Sequence, residues 1–342
     1  MSLPRDLPDD IGNAIGTWSP VAQGPLAVER GFLHHWCEVF QDANPAYTDE
    51  AYASRSRHRT LIAPPTAVFS LTSPYAWLPP HVQPAATSPG AFSNPYGLLR
   101  RRYALTGAIG LAMHLQWRAA IKLGDRLRGR SRVVAIDGPV ESSVGEGYRV
   151  SHEREFLSGE GSPLAFAQLQ TFVYRCVREK RTLLEGHLPG IYENFSAYAL
   201  PGGLEHETPV PTLEFPNPVL MHYRAASALR DWNVYHVDSD YVRARAGLGS
   251  MYASILFIMA LLSRFATDWS GPEWELRSLR GRIGALIHPG DTVRIEGVIT
   301  DRRRDQGQET VTLDAVVRTQ RATVMPVQLG LMRPQDSPPA TP

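Results

Sequence analysis

Two segments of this chain, "DANPAYTDEAY" (42–52) and "DWNVYHVDSDY" (231–241), superimpose position by position. Asp42 matches Asp231, Asn44 matches Asn233, Asp49 matches Asp238 and Tyr52 matches Tyr241. The chemically telling difference is His236, which stands opposite Tyr47. An internal duplication restricts the fold to two copies of one plan, and the rest of the sequence extends the match. A helical stretch follows each segment, and strand-like runs come after it. One run in each half is entered through Gly-Asp: "IKLGDRLRGRSRVV" (121–134) and "LIHPGDTVRIEGVIT" (286–300). Apolar–polar alternation after such a turn marks a half-buried strand. Each half closes on a further alternating run, over 164–177 and over 309–325.

At 342 residues the chain suits two domains of average size. Spacing within the halves differs, with 83 positions from Asp42 to Asp125 and 60 from Asp231 to Asp291. The surplus of 23 falls in a Pro-, Ala- and Ser-rich stretch over 73–101, read as an irregular surface loop or as a flap walling a pocket. The resulting division is an N-terminal domain over 1–185 and a linker over 186–218, dense in Pro and Gly. A C-terminal domain follows over 219–332, then a flexible tail over 333–342.

"MYASILFIMALLSRF" (251–265) is apolar nearly all round, so it predicts a helix buried on most sides, with strands wrapped about it. Its counterpart, "LIAPPTAVFSLTS" (61–73), carries Pro64-Pro65, which a first helical turn tolerates. At twelve residues the longest apolar run, 251–262, is too short to span a bilayer. The opening "MSLPRDLPDD" is unlike a secretory signal, so the expected location is cytoplasmic. A net charge of +1 gives no reason to expect nucleic acid or a membrane surface as partner. Cys37 and Cys176 lie in no CxxC pattern, and His34-His35 has no acidic or thiol partner at ligand spacing, so no metal site is expected.

The motif Asp-x-Asn-x-x-His-x-Asp-x-x-Tyr, a loop, an apolar helix and then Pro289-Gly290-Asp291 resembles the MaoC-like (R)-specific enoyl-thioester hydratases and dehydratases. The resemblance covers about residues 30 to 330. It implies an α+β fold, a double hotdog in which two antiparallel sheets each wrap a central helix, with a degenerate N-terminal copy. It also implies a lyase that hydrates a 2-enoyl thioester of coenzyme A or a carrier protein, or dehydrates the (R)-3-hydroxyacyl form. No cofactor is implied, and a homodimer is. Carried over residue by residue, the catalytic pair falls on Asp231 and His236, with a histidine suited to accept a proton near neutral pH. Asn233 would orient the loop or touch substrate. Ser263 falls where some relatives place a serine that supports the aspartate.

This chain departs from the family pattern in two places. Val234 follows Asn233 where proline is usual, and Ser254-Ile255 stands where the family's helix begins with His-Gly. A backbone N–H there would cap the thioester oxygen, and isoleucine crowds an approach that glycine leaves open. Ser254, Ile255 and Tyr47 are accordingly expected near the substrate. The changed corner keeps two other readings open: a lyase or cyclase that adds an internal hydroxyl, and a non-catalytic thioester-binding partner subunit. Apart from the resemblance, Asp231 and Asn233 could serve as turn and cap residues alone, the role expected of Asp42 and Asn44. Asp49 and Asp238 read as helix-start residues rather than chemistry.

Overall fold

A computed structural model describes residues 3–74, 94–176, 209–305 and 307–334. Most of the loop expected over 73–101 and of the linker expected over 186–218 lies outside the described residues, as does the tail beyond 334.

The duplication shows in the order of elements. The first half runs β1 (Ala22–Ala27), α1 (Arg30–Phe40), the first motif copy, α2 (Val68–Thr72), α3 (Pro95–Arg102), β2 (Gly107–Trp117), β3 (Arg126–Ser142), β4 (Gly145–Leu157) and β5 (Pro163–Cys176). The second runs β6 (Pro209–Asn217), α4 (Val219–Leu229), the second copy, α5 (Ile255–Ser270), β7 (Glu275–Arg282), β8 (Asp291–Asp305), β9 (Gln308–Arg318) and β10 (Thr323–Pro334). Across space the strands read β1-β3-β4-β5-β2-β7-β10-β9-β8-β6, a palindrome of the two halves. The expected double hotdog is present. Its two sheets are joined edge to edge, because β2 pairs antiparallel with β7 from Ala112↔Arg282 to Gln116↔Ser278.

Local chemistry explains the recurring parts. Gly124 and Gly290 have φ of 89° and 88°, a left-handed conformation that glycine adopts freely. The next residue closes each turn: Asp125 Oδ2 accepts from Lys122 N at 2.8 Å, and Asp291 Oδ2 from His288 N at 2.7 Å. Asp49 and Asp238 cap the helices that follow them, accepting from Tyr52 N and Tyr241 N.

Four expectations are corrected in detail. Pro209–Asn217, placed in the linker, is strand β6, paired with β8 over Asp291↔Asn217 to Val298↔Pro209. It is an edge strand, where proline costs no ladder bond, so Pro density misled. Within the loop expected over 73–101, Pro95–Arg102 is a helix, capped by Asn94. The helix expected over 61–73 is broken into Ile62–Ala63 in extended form, a 3-10 turn over Pro65–Ala67 and α2, since Pro64 and Pro65 donate no backbone bond. The alternating run over 309–325 is most of β9 and the start of β10, so its counterpart includes β4, a strand the sequence reading passed over.

The core is common to both halves. Buried α5 residues Phe257, Ile258, Leu261 and Phe265 belong to one apolar cluster with Trp36 and Phe40 of α1 and Phe215 of β6. Rings of the two halves touch directly through Phe40 and Phe257, at 6.1 Å, and Phe257 also meets Phe215 of its own half at 6.0 Å. Each such side chain, fully buried, contributes about 1.5–3 kcal/mol. No helix among the described residues is long and apolar enough to cross a membrane.

Candidate active site

The two motif copies share their backbone. Helix α1 ends at Gln41 with φ 53° and α4 ends at Arg230 with φ 52°, both left-handed. The next amide turns back on its helix each time: Asp42 N donates to Cys37 O and Asp231 N to Ala226 O, both at 3.0 Å. Asn44 Oδ1 then accepts from Ala46 N, and Asn233 Oδ1 from Tyr235 N. The motif is therefore a structural device in both halves, and only the second gains a histidine on it.

His236 sits in the 3-10 turn Val234–His236. Its Nδ1–H donates to Tyr252 O at 2.8 Å, which fixes the tautomer and leaves Nε2 as an acceptor. Nε2 lies 3.7 Å from Asp231 Oδ2, with side chains 13% and 18% exposed, so both reach solvent through a narrow opening. Burial holds the imidazole below its ordinary value of 6.5, against the opposing pull of the Asp231 carboxylate. At that separation there is no direct hydrogen bond, and a water lying beside the pair can contact both atoms.

The loop is pinned from both sides. Behind it, His222 Nδ1–H donates to His236 O at 3.1 Å, while Asn217 Nδ2 lies 3.1 Å from His222 Nε2 and donates to His288 O at 3.0 Å. Burial pushes His222 down to about 4, in keeping with a neutral ring there. In front, Tyr235 Oη donates to Thr106 O and accepts from Arg100 Nη2, and Tyr252 Oη donates to Ala108 O at 2.6 Å. Thr106 and Ala108 lie at the start of β2, so the first half holds the second half's loop.

Asp231 and His236 open on a cavity of about 200 Å³. Its walls come from both halves: Tyr96, Ala108, Gly110 and Thr171 from the first, Ile255, Ile258 and Ile283 among those from the second. Ser254 and Ile255 border it as expected. Ser254 is the N-cap of α5, with Oγ accepting from Phe257 N at 3.2 Å. As the first helical residue, Ile255 has an N–H with no intrahelical acceptor. Its side chain packs over Gly110, where an added Cβ would lie 3.4 Å from Ile255 Cδ1, an ordinary contact. Asn233 is exposed at the rim.

Two expected contacts are not brought to this cavity. Tyr47 is 2% exposed and lines a separate cavity of about 40 Å³ with Asn44, His58, Trp117 and Trp274, with the first motif copy rather than the second. Ser263 lies nine residues beyond Ser254, about 13 Å along the α5 axis. It is buried, and its Oγ meets no hydrogen-bond partner among the described residues. Tyr252, His222 and the β2 residues were missed. Tyr252 acts through its carbonyl, which no sequence motif reports, His222 lies outside the motif, and the β2 residues are distant in the chain.

A family model described as FAS1-like, dehydratase domain region, matches residues 13–165. Over 75 residues the chain is 35% identical to the 3-oxo-4,17-pregnadiene-20-carboxyl-CoA hydratase beta subunit of Mycobacterium tuberculosis, a stretch covering 22% of this chain and 57% of that protein. The chain thus spans just over half the length of this relative. Among solved structures, one named MaoC-like dehydratase superimposes with a TM-score of 0.66 at 15% identity, over 94% of this chain and 99% of that one. A conserved hypothetical protein of Mycobacterium tuberculosis with a double hotdog fold superimposes with a TM-score of 0.60 at 11% identity, over 92% of this chain and 96% of that one.

Proposed function

We propose, for a chain that has the double-hotdog fold of the MaoC-like dehydratases, that Asp231 and His236 catalyse reversible hydration of a 2-enoyl thioester, with dehydration of the (R)-3-hydroxyacyl form as the reverse. The observation that carries this reading is the free Nε2 of His236, 3.7 Å from Asp231 Oδ2, on the wall of an otherwise largely apolar cavity. A water held by both groups from the cavity side attacks C3. Its proton passes to His236 Nε2, and the electrons of the C2=C3 bond move toward the thioester oxygen. The imidazolium, stabilised by the Asp231 carboxylate, returns that proton to C2, so one water is added and both residues end as they began. The Ile255 N–H at the positive end of α5 is the donor for the thioester oxygen. Support for a CoA thioester comes from the relative named as a CoA hydratase; a carrier-protein thioester presents the same acyl chemistry.

The test is loss of enoyl absorbance on a panel of 2-enoyl-CoA thioesters, short to bulky. Wild type should turn over at least one, while Asp231→Asn and His236→Ala lose about 10²–10⁴-fold and still bind thioester. Folded wild type that hydrates none, or variants that keep their rate, would overturn the assignment.

A further inference from the structure

The inner face of the first half carries a charge that its twin lacks. On β4 the residues facing the helices are Tyr148, Val150, His152, Arg154 and Phe156, as their partners on β5 show: Val150↔Thr171, His152↔Leu169, Arg154↔Ala167. The strand in the same place in the second half, β9, turns Val311, Leu313, Ala315 and Val317 into the core, all apolar. On the outer face of the same two strands, Arg130 pairs with Glu155 and Arg132 with Glu153, both at 2.6 Å. Arg154 has no such partner among the described residues. Its guanidinium lies over the Phe69 ring, 5.8 Å from the centroid, and its cross-strand neighbours are Ser131 and Ala167. Burial lowers its pKa, and no carboxylate acts against that. Beside it His152 is pushed to about 4, by burial first and by Arg154 second, so it stays neutral and adds no second positive charge.

This row leads to the active-site cavity. Thr171 and Tyr96 line that cavity, and the Tyr96 ring meets His152 edge-on at 5.0 Å. From Thr171 to Ala167 is four residues of extended strand, about 13 Å. An acyl group with its thioester at Asp231 and His236, laid along β4 and β5, would pass His152 and end at Arg154. A partly buried guanidinium without a carboxylate partner is costly unless a partner arrives, and its planar fork suits a carboxylate.

We propose that Arg154, with His152 beside it, is the distal anchor of the acyl pocket and selects substrates that carry a carboxylate far from the thioester. The proposal rests on the hydration reading of Asp231 and His236 for its kinetic half only.

Two measurements separate the two ideas. The first needs no turnover: melting temperature of the intact protein with hexanoate, adipate or neutral hexanamide. The carboxylates should raise the wild-type Tm, hexanamide should not, and Arg154→Met should lose the response while Arg154→Lys keeps part of it. Without ligand, Arg154→Met should melt about 2 °C higher or more, since an unpaired charge is removed. The second uses 2-enoyl-CoA thioesters of increasing length, ending in methyl or in carboxylate. Arg154→Met should lose about 30-fold or more in kcat/KM on the matching carboxylate substrate and less than about 3-fold on its methyl counterpart, as expected for loss of a charge-assisted contact. Equal losses on both series, or a wild-type Tm indifferent to carboxylates, would overturn the anchor. An Arg154-dependent Tm response in protein that hydrates neither series would uphold the anchor and overturn the hydration reading.

Discussion

At the scale of single residues, the acid side of the pH profile is where His236 should declare itself. Its Nδ1–H is committed to Tyr252 O, so catalysis depends on Nε2 being unprotonated. Burial lowers the pKa below 6.5, and the sign follows: at pH 7 and above the base is free, and protonation removes it only as pH falls below that value. The expected kcat/KM is flat from pH 7 to 8 and drops tenfold per unit below the shifted pKa. An acid limb centred above 6.5 would contradict the assignment. Stability must be followed in parallel, because His58, His152 and His222 are each pushed down to about 4. A histidine held neutral stabilises the fold fully above its unfolded pKa and loses that contribution between 6.5 and about 4. Each is worth up to about 3 kcal/mol at 1.36 kcal/mol per unit. Circular dichroism at each pH tells loss of base from loss of fold.

At the scale of elements, the Gly-Asp turns that introduce β3 and β8 are legible in sequence because their chemistry is local. Glycine supplies the left-handed φ and aspartate receives the amide three residues back. Gly290→Ala tests this cleanly, since an added Cβ would meet nothing within 4 Å and only the backbone conformation is penalised. Urea unfolding should report a loss of about 1–2 kcal/mol; no loss would mean that the turn does not set the strand's entry. The motif copies and the α5 helix are readable on the same local grounds, while its start at Ser254 follows from the family resemblance. Less legible were elements whose identity depends on their neighbours. Strand β6 contains Pro211 and Pro216 and looks like linker until its place at the sheet edge is known. In β4 the run His152-Glu153-Arg154-Glu155 erases the alternation, because the inner face is polar where it should be apolar. The strand was missed at the same residues that now mark the distal anchor, as expected where function overrides local consistency.

At the scale of the whole molecule, the duplication describes the chain's plan but not its independence. The sequence predicts two domains with a linker, whereas the structure shares one core and one sheet between them. Asp231 and His236 are read from eleven consecutive residues, yet Thr106 and Ala108, which fasten their loop, lie more than a hundred positions away. A second fastening is ionic: Glu275 of β7 takes both Arg57 of the first half and Arg277, with His58 Nε2 at 3.2 Å. Cutting the chain at the junction would expose the backbone edge of β7. It would also strip Trp36 and Phe40 from the face of α5 and leave Glu275 without Arg57. Residues 209–334 expressed alone are therefore expected to stay unfolded or aggregate, and the full chain to unfold in a single cooperative transition by calorimetry and fluorescence alike. Two separated transitions would show that the halves are autonomous domains in contact. The dyad's loop would then have to keep its geometry without its anchors on β2, and the second half alone would bind thioester.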